Sequence, residues 1–289
     1  MFFTVVDDPE TRKPTILVCI GDLYEFDSCW VDVLGLYELK DSPGPDPWSI
    51  LFDEEKRKIL PLLVNSPWCV SFLPSFYVPT GGLNFSNLFD CNRKIVAVGL
   101  NYRDHADEFG DEYPTEPLIF CKASSALNRN LGDIVLPSSS SRVDYEGELV
   151  AVIGKTCRNV APENALDYVF GYCYGNDVSA RDWQKDKPGG QWFLGKSFDT
   201  FAPVGPWVVT PDEIGDPNNL NIKTRVNGEV VQSSNTSRMI FKVPEIISYV
   251  SNVMTLNPGD LVYRHAQRRR GRSTPASVSQ IRRRRRRQY

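Results

Sequence analysis

Residues 143–155 read Val-Asp-Tyr-Glu-Gly-Glu-Leu-Val-Ala-Val-Ile-Gly-Lys, placing two carboxylates, Glu146 and Glu148, directly before the apolar run Leu149 to Ile153. The run reads as a strand. Successive strand side chains alternate faces, so Glu146 and Glu148 point the same way. Two carboxylates on one face repel each other and raise at least one pKa unless a cation sits between them. Hard oxygen ligands of this kind suit Mg²⁺ or Ca²⁺. The same pattern also describes the exposed acidic face of an edge strand, and an isolated Glu-x-Glu does not separate the two readings.

Downstream, residues 171–184 (GYCYGNDVSARDWQ) carry an apolar, aromatic segment that ends at Asp177 and is followed by Arg181, Asp182 and Gln184. An acid at the end of a buried strand can serve as a third metal ligand, and a nearby arginine can pair with a substrate carboxylate. Asp177 could equally cap the turn that follows. Further on, residues 187–207 (KPGGQWFLGKSFDTFAPVGPW) place Lys196 after a glycine-rich loop and an aromatic stretch. Flanked by Leu194 and Phe198, its ammonium is either partly desolvated and available as a polarising donor, or solvent-exposed on a strand.

Upstream, residues 101–108 (NYRDHADE) put His105 and Glu108 three apart, on one face if the segment is a helical turn. A carboxylate beside an imidazole orients the ring and raises its basicity, so the pair can activate a water. A solvated acidic turn is the alternative. Only His265 is available as a second histidine, and it lies among arginines. No Ser/His/Asp arrangement or Walker-type phosphate loop is visible.

The wider pattern predicts an α+β, β-rich chain. Residues 1–90 read as a small N-terminal domain and linker: a strand around Thr15 to Ile20, a Gly21-Asp22 turn, a strand from Leu23, a helix through Glu54 to Leu63, and a link at Pro74 to Gly82. KIVAVGLNY, from Lys94, gives the next strand. Two helices are predicted. One runs from Pro162 to Phe170, with Ala165, Leu166, Val169 and Phe170 on one face and Gly171 as a stop. The other starts near Pro244, places Ile246, Ile247, Val250, Val253 and Met254 at helical spacing, and ends at Asn257-Pro258-Gly259. Asn227-Gly228 predicts a two-residue hairpin turn.

Composition is that of a globular protein, and no apolar run approaches the roughly 18 residues a membrane span needs. The 7 cysteines are scattered without a CxxC pair, which favours a reducing compartment and core packing over a zinc cluster. With no targeting signal in the first residues, a cytoplasmic or mitochondrial location is expected. The net charge of −3 conceals a split: the segment 264–289 holds eleven of the 33 basic residues and no acid, leaving 22 basic against 36 acidic residues in the body. Phosphate backbones would repel that body, so nucleic-acid affinity is expected only through the arginine tail.

Taken in order, VGLNYRDHADE, EPLIFCKASSAL, VDYEGELVAVIGK, NDVSARDWQ, QWFLGKSFDTFAPVGPWVVT, RVNGEVVQSSNTSRMIFKVPEIISYVS and LNPGD resemble the fumarylacetoacetate hydrolase family over Lys94 to Tyr263. The resemblance implies a mixed β-sandwich or roll preceded by a small N-terminal domain, often dimeric, with the catalytic unit at 91–263. It implies Glu146, Glu148 and Asp177 as ligands of Mg²⁺, with Mn²⁺ or Ca²⁺ as alternatives. His105 and Glu108 become an acid/base dyad on a lid, Lys196 faces the substrate oxyanion, Arg181 and Gln184 support the site, and Lys122 falls near the substrate entrance. The substrate that the resemblance implies is a small β-keto or α-keto acid, and the implied reaction is C–C hydrolysis, decarboxylation or keto–enol tautomerisation, all through a stabilised enolate.

The pattern departs from the family after LNPGDLVY. A Thr-Gly-Thr-Pro type loop and closing strands are expected there, and the chain reads RHAQRRRGRSTPASVSQIRRRRRRQY instead. Mutually repelling arginines predict a disordered tail. That tail is either a basic arm for RNA or other anions, or the product of an aberrant reading of the gene that leaves a catalytically impaired relative.

Overall fold

The computed structural model describes the backbone of strands at 2–7, 14–20, 29–32 and 77–78, and residues 89, 92–103 and 112–264 with their side chains. In chain order the strands are β1 (Phe2–Asp7), β2 (Pro14–Ile20), β3 (Cys29–Asp32), β4 (Tyr77–Val78), β5 (Ile95–Gly99), β6 (Leu118–Lys122), β7 (Leu127–Asn128) and β8 (Val143–Asp144). They continue with β9 (Gly147–Ile153), β10 (Val169–Asn176), β11 (Ser179–Ala180), β12 (Ala202–Pro203), β13 (Val208–Val209), β14 (Asn221–Val226), β15 (Glu229–Asn235) and β16 (Leu261–Arg264). Three α-helices are described, α1 (Trp192–Lys196), α2 (Pro211–Ile214) and α3 (Val243–Val253). The architecture is α+β and strand-rich, as expected.

Ten strands form one mixed sheet in the order β4-β3-β2-β1-β13-β10-β9-β16-β5-β6. At its centre β9 and β10 form an antiparallel pair, β16 adds antiparallel to β9, and β5 adds parallel to β16. The run at 149–153 is apolar at every position because this strand is covered on both faces. Val150, Val152, Ala97, Leu261 and Tyr263 pack into one core layer. Leu149, Ala151, Ile153, Val96, Val98 and Val262 pack into the other, under Ile246, Ile247 and Val250 of α3. Glu148 shares the period-two face of Val150 and Val152, so it is directed away from α3.

Several expectations shift by an element. Pro162–Tyr168 is a 3-10 helix, and Val169 and Phe170 already belong to β10. Sheet pairing and burial on both faces override the helical spacing there. Leu166 is 38% exposed, so the expected apolar face does not form. Gly171 is a strand residue that lets β13 approach: a Cβ there would lie 2.5 Å from the Val209 carbonyl oxygen. Helix α3 begins one residue earlier than expected, where Glu245 accepts a hydrogen bond from the Lys242 backbone N–H. It ends at Val253, four residues before Asn257, and Val253 is 69% exposed rather than packed. The Asn227-Gly228 turn holds as expected, with φ of 51° and 82° between β14 and β15.

In the N-terminal part, β2 starts at Pro14 and β4 falls inside the expected link. The Gly21-Asp22 turn, the strand start at Leu23 and the helix through Glu54 to Leu63 lie outside the described residues. So do residues 265–289, although Arg264, counted above with the tail, is the buried last residue of β16. Its guanidinium lies 5.7 Å from the Tyr172 ring centre, on the α3 side of the sheet, and none of its three nitrogens has a hydrogen-bond partner among the described residues. Burial pushes it below the ordinary arginine range, with Tyr172, Tyr102 and Glu148 opposing. Cys157 and Cys173 are buried free thiols, in keeping with a packing role.

Candidate metal centre and active site

Glu146, Glu148 and Asp177 converge. Each is at most 2% exposed, and one carboxylate oxygen from each lies within 4.8 Å of the others. The β9–β10 pairing does this. Gly175 faces Glu148 across the ladder and Asn176 faces Gly147. Past the strand ends the pairing continues for one more rung, where Asp177 N–H donates to the Glu146 carbonyl at 2.8 Å. The exposed-edge reading of Glu-x-Glu and the cap reading of Asp177 both give way to this buried arrangement.

Three cations close around the acids. Lys196 Nζ donates to Asp177 Oδ2 at 2.5 Å, to Glu146 Oε2 at 2.7 Å and to Ser179 Oγ at 2.8 Å, which uses all three ammonium hydrogens. It also stands 4.8 Å from the Phe120 ring centre. Burial works to lower its pKa, but Asp177 and Glu146 together outweigh that and hold the ammonium above its ordinary range. Lys196 is therefore neither on a strand nor exposed. It ends α1, and Gly195 allows that helix to dock, since a Cβ there would lie 2.8 Å from Gln184 N.

Arg181 is spent inside the site. Nε reaches Asp144 Oδ2 at 2.9 Å, Nη1 reaches Gln184 Oε1 at 2.9 Å, and Nη2 reaches Glu146 Oε1 at 2.6 Å. Desolvation is again opposed by Glu146 and Asp144, and the guanidinium ends above its usual range. Lys122 is 3% exposed and donates to Asp177 Oδ1 at 2.5 Å and to the Val178 carbonyl at 3.1 Å. It is a buried partner of a candidate ligand rather than a residue at an entrance. Here desolvation wins over Asp177, and the Lys122 pKa is lowered.

His105 and Glu108 lie outside the described residues. The sequence reading missed Asp144 and Ser179. Both sit in the two-stranded β8–β11 ribbon that extends the β9–β10 pair, with Ser179 opposite Asp144. Ser179 was within reach of the alternation argument, being two residues after Asp177 in an extended segment.

An all-carboxylate, oxygen-only cluster fits a hard divalent cation such as Mg²⁺. A family profile described as fumarylacetoacetate (FAA) hydrolase C-terminal matches residues 94–264, more than half of the chain. The chain belongs to the fumarylacetoacetate hydrolase family. It is similar to a fumarylacetoacetate hydrolase domain-containing protein 2 homolog of Dictyostelium discoideum, 47% identical over 65% of this chain and 62% of that protein. It is likewise similar to the mitochondrial oxaloacetate tautomerase of Xenopus laevis, 51% identical over 58% of this chain and 53% of that protein. The chain thus spans between half and two thirds of the length of these two relatives. Among solved structures, maleylpyruvate hydrolase from Sphingobium sp. SYK-6 superposes with a TM-score of 0.71 at 29% identity, covering 92% of this chain and 90% of that one. Family members so named are enzymes. Among the described residues no helix is long and apolar enough to cross a membrane.

Proposed function

We propose that this chain is a divalent-metal-dependent enzyme that stabilises the enolate of a small keto acid, and that its reaction is the keto–enol tautomerisation of oxaloacetate. The observation that carries this reading is the convergence of Glu146, Glu148 and Asp177 on one buried point beside the Lys196 ammonium. The similarity to a protein named oxaloacetate tautomerase supports the choice of reaction.

Bound by these three carboxylates, Mg²⁺ would supply the Lewis-acid charge that draws electron density from a substrate carbonyl. The protein's own residues do the rest. Lys196 is the one described cation that touches two candidate ligands at once, so its charge is already aimed where an enolate oxygen develops. Arg181, tied to Asp144, Gln184 and Glu146, fixes the Glu146 carboxylate in place. His105 with Glu108 is assigned the proton transfer at carbon, the imidazole acting as base and then acid. A homodimer is the expected assembly.

C–C bond hydrolysis is the second reading, supported by the likeness to a maleylpyruvate hydrolase. It needs the same dyad to deprotonate a water. The two separate in one assay: purified protein with Mg²⁺ is given oxaloacetate and, separately, an acylpyruvate. Faster loss of the enol absorbance of oxaloacetate, abolished by EDTA, is the expected result. No acceleration with either substrate would overturn the enzyme reading, and cleavage of the acylpyruvate alone would favour hydrolysis.

A further inference from the structure

Lys122 is a second fully enclosed cation on Asp177, and an ammonium has no lone pair with which to ligate a metal itself. Lys196 already serves Asp177 Oδ2, so with Lys122 on Oδ1 both oxygens of this candidate ligand carry an ammonium. Each carboxylate oxygen has two acceptor sites, so a metal on Asp177 would share the carboxylate with these ammonium groups rather than hold it alone. Among the described residues, the acids Glu146, Glu148 and Asp177 face three bases, Lys122, Lys196 and Arg181, with Asp144 on the far side of Arg181. The cluster is close to neutral before any ion enters.

We propose that Lys122 is a built-in counter-cation, a positioning residue that lets the carboxylate cluster persist without metal and keeps its divalent-ion affinity low enough for exchange. The inference rests on reading the cluster as a metal site. Two effects of the ammonium act in the same direction. It repels a doubly charged ion in a desolvated setting, and its hydrogen bond draws electron density from the carboxylate that would bind that ion. Orientation of Asp177 does not depend on Lys122 alone, because the backbone rung to Glu146 and the Lys196 contact also hold it.

The test uses the full chain. Mn²⁺ binding is measured by electron paramagnetic resonance, and thermal unfolding is followed in EDTA and in Mg²⁺, for wild type and Lys122→Met. The wild-type midpoint should differ little between EDTA and Mg²⁺. Lys122→Met should bind Mn²⁺ tighter by about tenfold or more, unfold earlier in EDTA, and regain stability in Mg²⁺. A variant that folds only with Mg²⁺ present is the strong form of this result. If Lys122→Met does not fold under either condition, Lys122→Gln, which keeps one donor, decides on the same readouts. Unchanged or weaker Mn²⁺ binding in the variant, with wild type binding normally, overturns the proposal and leaves the metal site standing. Absence of Mn²⁺ binding in both overturns the metal reading as well.

Discussion

The backbone N–H of Asp177 donates to the carbonyl of Glu146 at 2.8 Å, one rung beyond the last regular pair of β9 and β10. That bond places two of the three candidate ligands across from each other before any side chain is considered. Ligand convergence here is a property of strand register, and the following consequences are open to measurement.

Asp177→Asn removes the charge that pairs with two buried ammonium groups. Breaking a buried pair from one side destabilises by about 3–5 kcal/mol, because the remaining charge has no partner. Chemical denaturation should show a loss of this size, and Mn²⁺ binding should vanish with it.

Gly195→Ala puts a methyl group 2.8 Å from Gln184 N and 3.0 Å from Gln184 Cα, both backbone atoms that cannot swing aside. Overpacking of this kind destabilises by about 1–3 kcal/mol. Since Lys196 is the next residue, turnover should fall further than stability does, which a KM-against-kcat comparison on oxaloacetate will separate.

Arg264→Leu should stabilise the protein by about 2 kcal/mol or more, since a buried charge with no hydrogen-bond partner among the described residues is replaced by an apolar side chain. A midpoint in urea that stays the same or falls would show that the guanidinium is satisfied in solution.

Asp182 supplies a pH signature. Despite a desolvation effect in the other direction, hydrogen bonds from Ser140 Oγ, Ser141 N and Trp183 N hold its carboxyl below the ordinary aspartate range. The folded pKa is depressed, so the stabilisation is complete above the unfolded value and is lost as pH falls through the folded one. Comparing wild type with Asp182→Asn, the stability difference should be constant near neutrality and shrink below about pH 4. Urea titrations between neutral and acidic pH will follow it.

Much of this was legible in the sequence because it rests on local periodicity. The alternation of Glu146 and Glu148 ahead of an unbroken apolar run specified both a strand and a shared face, and Asn227-Gly228 specified its turn through positive φ. What was not legible depends on partners distant in sequence. Val169 and Phe170 looked helical, with Gly171 as the stop, until pairing with β9 made all three part of a strand. Lys122 looked like an entrance residue because nothing local reveals that Asp177, 55 positions on, lies 2.5 Å away. Asp144 and Ser179 became site residues only through the β8–β11 pairing.

The placement of β16 between β9 and β5 has a consequence for the order of assembly. All three candidate ligands belong to one antiparallel hairpin, whose contacts close a short loop, whereas Leu261 must find Ile95 across most of the domain. Loop-closure entropy therefore favours early formation of the acidic cluster and late insertion of the strand that joins the two halves of the sheet. During that interval three carboxylates are gathered while β5 and β6 remain a separate hairpin. Folding kinetics should then report β16 substitutions in the slow, rate-limiting step and β9–β10 turn substitutions in an earlier one.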